Sequence, residues 1–226
     1  MRIAKVSLPR YKKNLRTVVF EGGASVKLHE EVVERRGLAE GSEVSELDLE
    51  GLKDESSRRE ARDYSLLLLG YRTLSQNALK ERLRRRGYAV KVIDGVLEEL
   101  KAMKLLDDAG LARSMAESRL KGALVGDARV RSDMLRRGIP RETADSALAE
   151  ANRDPGNEVP SEEERAYQLA ARRAKQMRTD ARTAYRRIYG YLARRGFPPD
   201  TIDRALARIS ARRREKEEME REDDRD

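Results

Sequence analysis

Apolar residues recur along this chain in three blocks that superimpose when aligned on one short motif. Arg-Arg-Gly followed by an apolar residue occurs at Arg85-Arg86-Gly87-Tyr88, Arg136-Arg137-Gly138-Ile139 and Arg194-Arg195-Gly196-Phe197, with a further copy at Arg35-Arg36-Gly37-Leu38. The three later glycines lie 51 and 58 residues apart, and their flanks agree in register. Eight residues before the glycine stand Leu79, Val130 and Ile188, and four before it stand Leu83, Met134 and Leu192. Six after it stand Ile93, Ala144 and Ile202; nine after, Val96, Ala147 and Ala205; ten after, Leu97, Leu148 and Leu206. Spacings of three and four put these residues on one helical face. Each block therefore predicts a helix, a tight turn and a second helix.

The turn chemistry agrees. Glycine ends a helix in the left-handed conformation without a steric penalty. Two arginines in the last turn are favoured by the helix dipole, by roughly 0.3–1 kcal/mol each. Pro140, Pro198 and Pro199 suit the first turn of the next helix. A further helix fits upstream of each pair, over 61–71, 111–120 and 165–177, with Ser75 and Asp127 as caps for the helices that follow the first two.

These elements predict a mainly α fold: three tandem three-helix modules in an elongated array, over 60–106, 107–152 and 162–210. Residues 153–161 contain Pro155, Gly156 and Pro160 and read as a linker. Ser161 with Glu162, Glu163 and Glu164 then reads as a cap followed by an acidic first turn. Residues 1–59 hold a β-hairpin (Thr17-Val18-Val19-Phe20 and Ala24-Ser25-Val26-Lys27-Leu28 around Glu21-Gly22-Gly23), a short helix from His29 to Arg36 and a lead-in helix. The charged tail 211–226 either extends the last helix or stays disordered.

Composition supports small modules over one large core. Of the 226 residues 40% are charged and 38% hydrophobic, with two Phe and no Trp. Modules with thin apolar stripes suit such a chain. The net charge of +8 favours an anionic partner. It is uneven: residues 60–106 carry +4, 107–159 carry −1 and 160–209 carry +6. Candidate contacts to nucleic acid or filament are Lys80, Arg84 and Arg85 in the first module and Arg129 and Arg136 in the second. In the third they are Arg172, Arg173, Arg178, Arg182, Arg186, Arg187, Arg194 and Arg195, interleaved with Tyr185, Tyr189 and Tyr191. The plainer reading is that helix capping explains the Arg-Arg-Gly sites and that the tyrosines are packing groups.

Catalytic chemistry is scarce. The chain has no Cys and one His, His29, which reads as a surface or packing residue. That argues against zinc sites and Cys-His or Ser-His-Asp nucleophiles. There is no phosphate-binding glycine loop, and Asp107-Asp108 and Asp223-Asp224 read as dipole partners or solvated charge. The expectation is a non-enzyme with no catalytic residue, cofactor or metal. With no apolar stretch near 18 residues it is expected to be free of membrane; the lack of Cys suits a reducing cytosol, and a monomer is expected.

Three tandem three-helix units built on this motif resemble the RecX family of bacterial regulatory proteins. The most specific stretch runs from Arg129 through Val130, Asp133, Met134, Arg136 and Gly138 to Ile139, similar to the family's basic, aliphatic, acidic, aliphatic, basic-Gly-Ile run. Asp107-Asp108, Leu111-Ala112, Arg119 and Gly122 fit upstream of it, and 79–88, 92–106, Gly37-Leu38 and Gly41 match elsewhere. The likeness covers about 60–209 well and 1–59 loosely. Leu111 and Met115 stand where the family usually has aromatic residues.

The resemblance implies a regulator that binds the RecA recombinase, lies along its filament on single-stranded DNA, and limits filament growth and activity in recombination, DNA repair and the SOS response. On this reading the basic first and third modules reach single-stranded, and also duplex, DNA, while the near-neutral second module docks on protein. Two other readings stay open. One is a stand-alone helix-turn-helix-like protein reading duplex DNA; the other is a helical scaffold that binds only protein.

Overall fold

The computed structural model describes residues 1–7, 14–153, 159–177 and 179–223. They form two compact units, Met1–Leu106 and Asp107–Asp226.

The first unit opens with strands β1 (Ile3–Ser7), β2 (Leu15–Phe20) and β3 (Ser25–His29), an antiparallel sheet in the order β1-β2-β3. The expected hairpin is present as β2 and β3, turned at Gly22 and Gly23. β1 is an addition that the pattern did not show, because Ile3 is its one fully buried position. Helix α1 (Glu30–Arg35) follows at once. His29 caps it through Nδ1, which accepts the Glu31 N–H at 3.3 Å, while its Nε2 meets Asp63 at 3.0 Å. The histidine is buried and is a packing residue.

Helix α2 (Glu46–Tyr71) differs from expectation. It starts at Glu46, not near 61, and runs without a break past residue 60, so the lead-in segment and the first module share one helix. The cause is local: the Ser45 hydroxyl accepts the Asp48 N–H at 3.0 Å, a good N-cap. The N-terminal half of α2 then covers the sheet with Leu52, among Ile3, Val18, Phe20, Leu28 and Val32. Its C-terminal half buries Ala61 against α3 (Gln76–Arg85) and α4 (Val90–Ala102).

The second unit comprises α5 (Asp108–Gly122), α6 (Asp127–Arg136), α7 (Arg141–Arg153), α8 (Glu162–Lys175), α9 (Ala181–Arg194) and α10 (Pro199–Asp223). α10 carries helix through 211 and on into the charged tail, which selects the first of the two expectations for it.

All fifteen positions of the aligned register are buried. At each motif glycine φ is positive: 89° at Gly87, 83° at Gly138 and 85° at Gly196. Around Gly138 the glycine N–H donates to the Leu135 carbonyl at 2.9 Å, and the Ile139 N–H reaches back to the Met134 carbonyl at 3.1 Å. The same two bonds form around Gly37, Gly87 and Gly196. This double bond pattern satisfies the last carbonyls of a helix and pins the next apolar residue onto it. The motif is thus a helix terminator used four times.

The expected cap Asp127 is corrected. The cap position of α6 is Gly126, with no side-chain bond. The reason lies in the third module: a Cβ on Gly126 would collide with the Gly196 carbonyl, and one on Gly196 would come within 2.6 Å of Arg129. The two backbones touch, and the Gly126 N–H donates to the Arg195 carbonyl at 3.0 Å.

Asp127 serves the same seam instead. It pairs with Arg165, whose side chain is fully buried. Arg165 also donates to the carbonyls of Val125 at 3.2 Å and Pro160 at 2.6 Å, and to Asn152 Oδ1 at 3.3 Å. Asn152 returns a bond to Asp127 at 2.7 Å. Ser161 caps α8 as expected, its hydroxyl accepting the Glu164 N–H at 3.2 Å. Leu124, in the α5–α6 connector, is buried in the core of the third module.

Removing one partner of a buried ion pair strands the other and costs about 3–5 kcal/mol. Arg165→Met should lower the unfolding free energy by about that amount in urea titration.

The Glu162 carboxylate accepts the Asp127 N–H at 2.8 Å. Burial, with Asp127 nearby, raises its pKa above the usual 4.5. A folded carboxyl with a raised pKa holds its proton longer than the unfolded one, so stability falls as pH climbs from the unfolded value through the folded one. Glu162→Gln should therefore raise the melting temperature at pH 7, and the gain should vanish below about pH 4.

Candidate nucleic-acid interface

The doublet arginines divide their labour. The second of each pair folds back onto the protein. Arg86 lies 4.2 Å from the Tyr64 ring centre, and Arg137 reaches Met115 Sδ at 3.7 Å. Arg195 donates to the Ala123 carbonyl at 3.1 Å and sits 5.2 Å from the Tyr191 ring centre. The first of each pair, Arg85, Arg136 and Arg194, is exposed. The second arginine thus serves its own module, whereas among the first ones Arg136 pairs with Asp133, and Arg85 and Arg194 have no carboxylate partner among the described residues.

Two clefts in the second unit collect many of the exposed arginines. One, of about 570 Å³, lies between the end of α8 and the face of α9 and is lined by Arg173, Arg186, Arg187, Tyr191 and Arg194, among others. The second, of about 380 Å³, is lined by Arg119 from α5, Arg129, Asp133 and Arg136 from α6, and Arg194 and Arg195. Arg194 belongs to both walls, so the clefts adjoin.

Among the described residues no carboxylate pairs with Arg173, Arg186, Arg187 or Arg194. Arg173 instead stands 5.6 Å from the Tyr191 ring centre. An unpaired, solvent-facing guanidinium loses little hydration on meeting phosphate and can grip it through two parallel bonds.

Other expected contacts fall elsewhere. Arg172 and Arg182 are exposed but line neither cleft. Arg178 lies outside the described residues. Lys80 pairs with Asp94 at 2.9 Å and Arg84 with Glu81 at 3.6 Å, both on the first unit, where Arg85 is exposed. Tyr185 is 46% exposed and donates to Asp203 at 2.9 Å; Tyr189 and Tyr191 are half-buried packing groups.

Segment charge misled in one respect. The second module is near neutral in total, yet it contributes Arg119, Arg129 and Arg136 to one wall. Two of its acids are turned elsewhere, Asp127 to Arg165 and Asp145 to Arg131 and Arg141, and on this wall Asp133 alone faces three arginines. Arg119 carried no local signal, because its role depends on a helix packing that brings α5 alongside α6.

Comparison with known proteins decides the family. The first three-helix domain of RecX matches residues 61–100, and the third three-helix domain of RecX matches 161–206. Regulatory protein RecX of Mycobacterium avium is 34% identical over 164 residues, covering 70% of this chain and 91% of that protein. The chain belongs to the RecX family. Regulatory protein RecX of Amycolatopsis mediterranei is 30% identical over 148 residues, 65% of this chain and 81% of its own length. A crystal structure of regulatory protein RecX shares the fold, with a TM-score of 0.65 at 21% identity, over 89% of this chain and 97% of that one.

The two matched RecX domains coincide with the C-terminal half of α2 with α3 and α4, and with α8, α9 and the start of α10. The relatives are named regulatory proteins. Among the described residues no helix is long and apolar enough to cross a membrane.

The unequal roles within one doublet can be measured. Arg195→Met removes the donor to the Ala123 carbonyl and should cost about 1 kcal/mol of stability. Arg194→Met should stay within about 0.5 kcal/mol of the parent in the same denaturant titration.

Proposed function

We propose that this RecX-family chain binds RecA recombinase filaments on single-stranded DNA in the bacterial cytoplasm. It limits their growth and activity in recombination, DNA repair and the SOS response. The observation that carries the DNA part of this reading is the set of uncompensated arginines gathered from α8 and α9 into one cleft. Contacts of this kind bind backbone phosphate without regard to sequence. That suits a protein acting along a filament whose DNA sequence varies.

In this reading the second module does more than dock on protein, because three of its arginines line the same cleft as Arg194 and Arg195 of the third. In this reading the DNA contact spans both modules, and the recombinase meets other faces of the array.

The test is steady-state ATP hydrolysis by a cognate RecA on single-stranded DNA with the chain present below one copy per recombinase. Inhibition at that ratio is expected and would mark interrupted filament growth. Unchanged hydrolysis and unchanged filaments at excess chain would sink the reading. Tight, sequence-selective binding to duplex DNA would then point to a helix-turn-helix-like protein, and no DNA binding at moderate salt to a protein-only scaffold.

The contribution of the cleft is separable. The Arg186→Gln, Arg187→Gln double variant should flatten the salt dependence of single-strand affinity, by roughly 0.7 in log–log slope for each phosphate that is no longer neutralised. Its melting temperature should be unchanged.

A further inference from the structure

Asp133 stands among three arginines. Its carboxylate bonds to Arg136, lies 3.6 Å from Arg129 Nε and lies 3.9 Å from Arg119 Nη2. Its side chain is 13% exposed, while those of Arg119, Arg129 and Arg136 are 47%, 50% and 59% exposed. The carboxylate is therefore at the bottom of the cleft and the three guanidiniums form its rim. Arg194 and Arg195 stand on the facing wall. One anion is shared by three cations, and the cleft retains a large positive excess.

We propose that this cleft seats a phosphodiester group of single-stranded nucleic acid and that Asp133 is its internal competitor. Asp133 sets binding strength by occupying the arginines that phosphate would otherwise take. The idea rests on the DNA contact argued above and adds the residue that tunes it.

The geometry supports both halves. A phosphodiester offers two oxygens to guanidinium groups arranged as forks. Here such groups come from α5, α6 and α9, and Arg194 carries the positive surface on into the neighbouring cleft. A repeating anion can use that continuity; an isolated carboxylate has no use for it. An arriving phosphate meets Asp133 as a like charge a few ångströms away, and must draw Arg136 and its neighbours off it. The carboxylate also keeps the three guanidiniums oriented when no ligand is bound, so it organises the site and weakens it together.

The experiment is fluorescence anisotropy with a labelled oligothymidylate across a salt series, using the full chain and no recombinase. Asp133→Asn should bind at least about fivefold more tightly than the parent, with a steeper salt dependence. Asp145→Asn makes the same charge change on α7, where Asp145 pairs with Arg131 and Arg141 outside the cleft, and should bind like the parent.

Equal tightening by both variants would reduce the effect to net charge and overturn the proposal. So would unchanged or weaker binding by a folded Asp133→Asn. Should Asp133→Asn fail to fold by circular dichroism, Arg119→Gln decides. It should weaken binding several-fold and flatten the salt slope, and parent-like binding would overturn the proposal.

Polyglutamate of matched charge should compete poorly. Competition equal to that of unlabelled oligothymidylate would reassign the cleft to acidic protein. A parent chain with no oligothymidylate binding at all would remove both this inference and the DNA contact it rests on. Parent binding with failure of the Asp133 result alone would remove only this one.

Discussion

A single buried guanidinium organises the C-terminal unit. Arg165 collects the start of α6, the α5–α6 connector, the end of α7 and the segment before α8, through Asp127, Val125, Asn152 and Pro160. Taking an arginine out of water is expensive, and a lone counterion seldom repays it. Here two carbonyls, an amide oxygen and a carboxylate accept from it, and Asn152 closes the ring by bonding Asp127 as well. The net energy is a lesser matter than the geometry, since those acceptors lie together only when the second and third modules are docked. The arginine cleft exists on that condition, because one wall comes from α5 and α6 and the other from the end of α9.

Much of the fold was legible because its strongest signals are local. A left-handed glycine after a pair of arginines terminates a helix by bonds within six residues, and the flanking apolar positions then have only one face to occupy. Leu79, Val130 and Ile188 are equivalent in sequence and equivalent in burial for that reason. β1 was illegible because a strand at the edge of a small sheet exposes most of its side chains, and Ile3 alone is deeply buried. The lead-in helix was expected, but not that it runs on into the first module as α2; its N-terminal half is highly charged, and only its packing against the sheet shows that Leu52 has a purpose.

The site was legible in part. Residue type alone singled out Arg173, Arg186, Arg187 and Arg194, which the fold gathers, and equally Arg172 and Arg182, which line neither cleft. What separates these groups is angular position on a helix relative to a neighbouring module, a property of tertiary packing. Asp127 shows the same limit from the other side. An aspartate before a helix satisfies the local rule for a cap, but the contact between Gly126 and Gly196 moves the helix start, and a distant arginine takes the carboxylate. Summed segment charge fails similarly: a module can be neutral in total and cationic on one face when the acids there are outnumbered, as Asp133 is by Arg119, Arg129 and Arg136.

The backbone contact at Gly126 and Gly196 has a consequence for how such a chain can change over generations. A junction made by side chains can drift, because a smaller group on one surface can be offset by a larger one opposite. Two glycines at a main-chain junction have no side chain to trade: Gly126 is held by the Gly196 carbonyl, and Gly196 by Arg129 of the opposite helix. Gly196 is also the helix terminator of its own repeat, so its freedom is restricted twice over. Duplication, deletion or shuffling of a repeat between these modules would need both halves of the junction rebuilt in one step. The junction thus ties the second and third modules together physically, although the sequence repeats as if each were a separate unit.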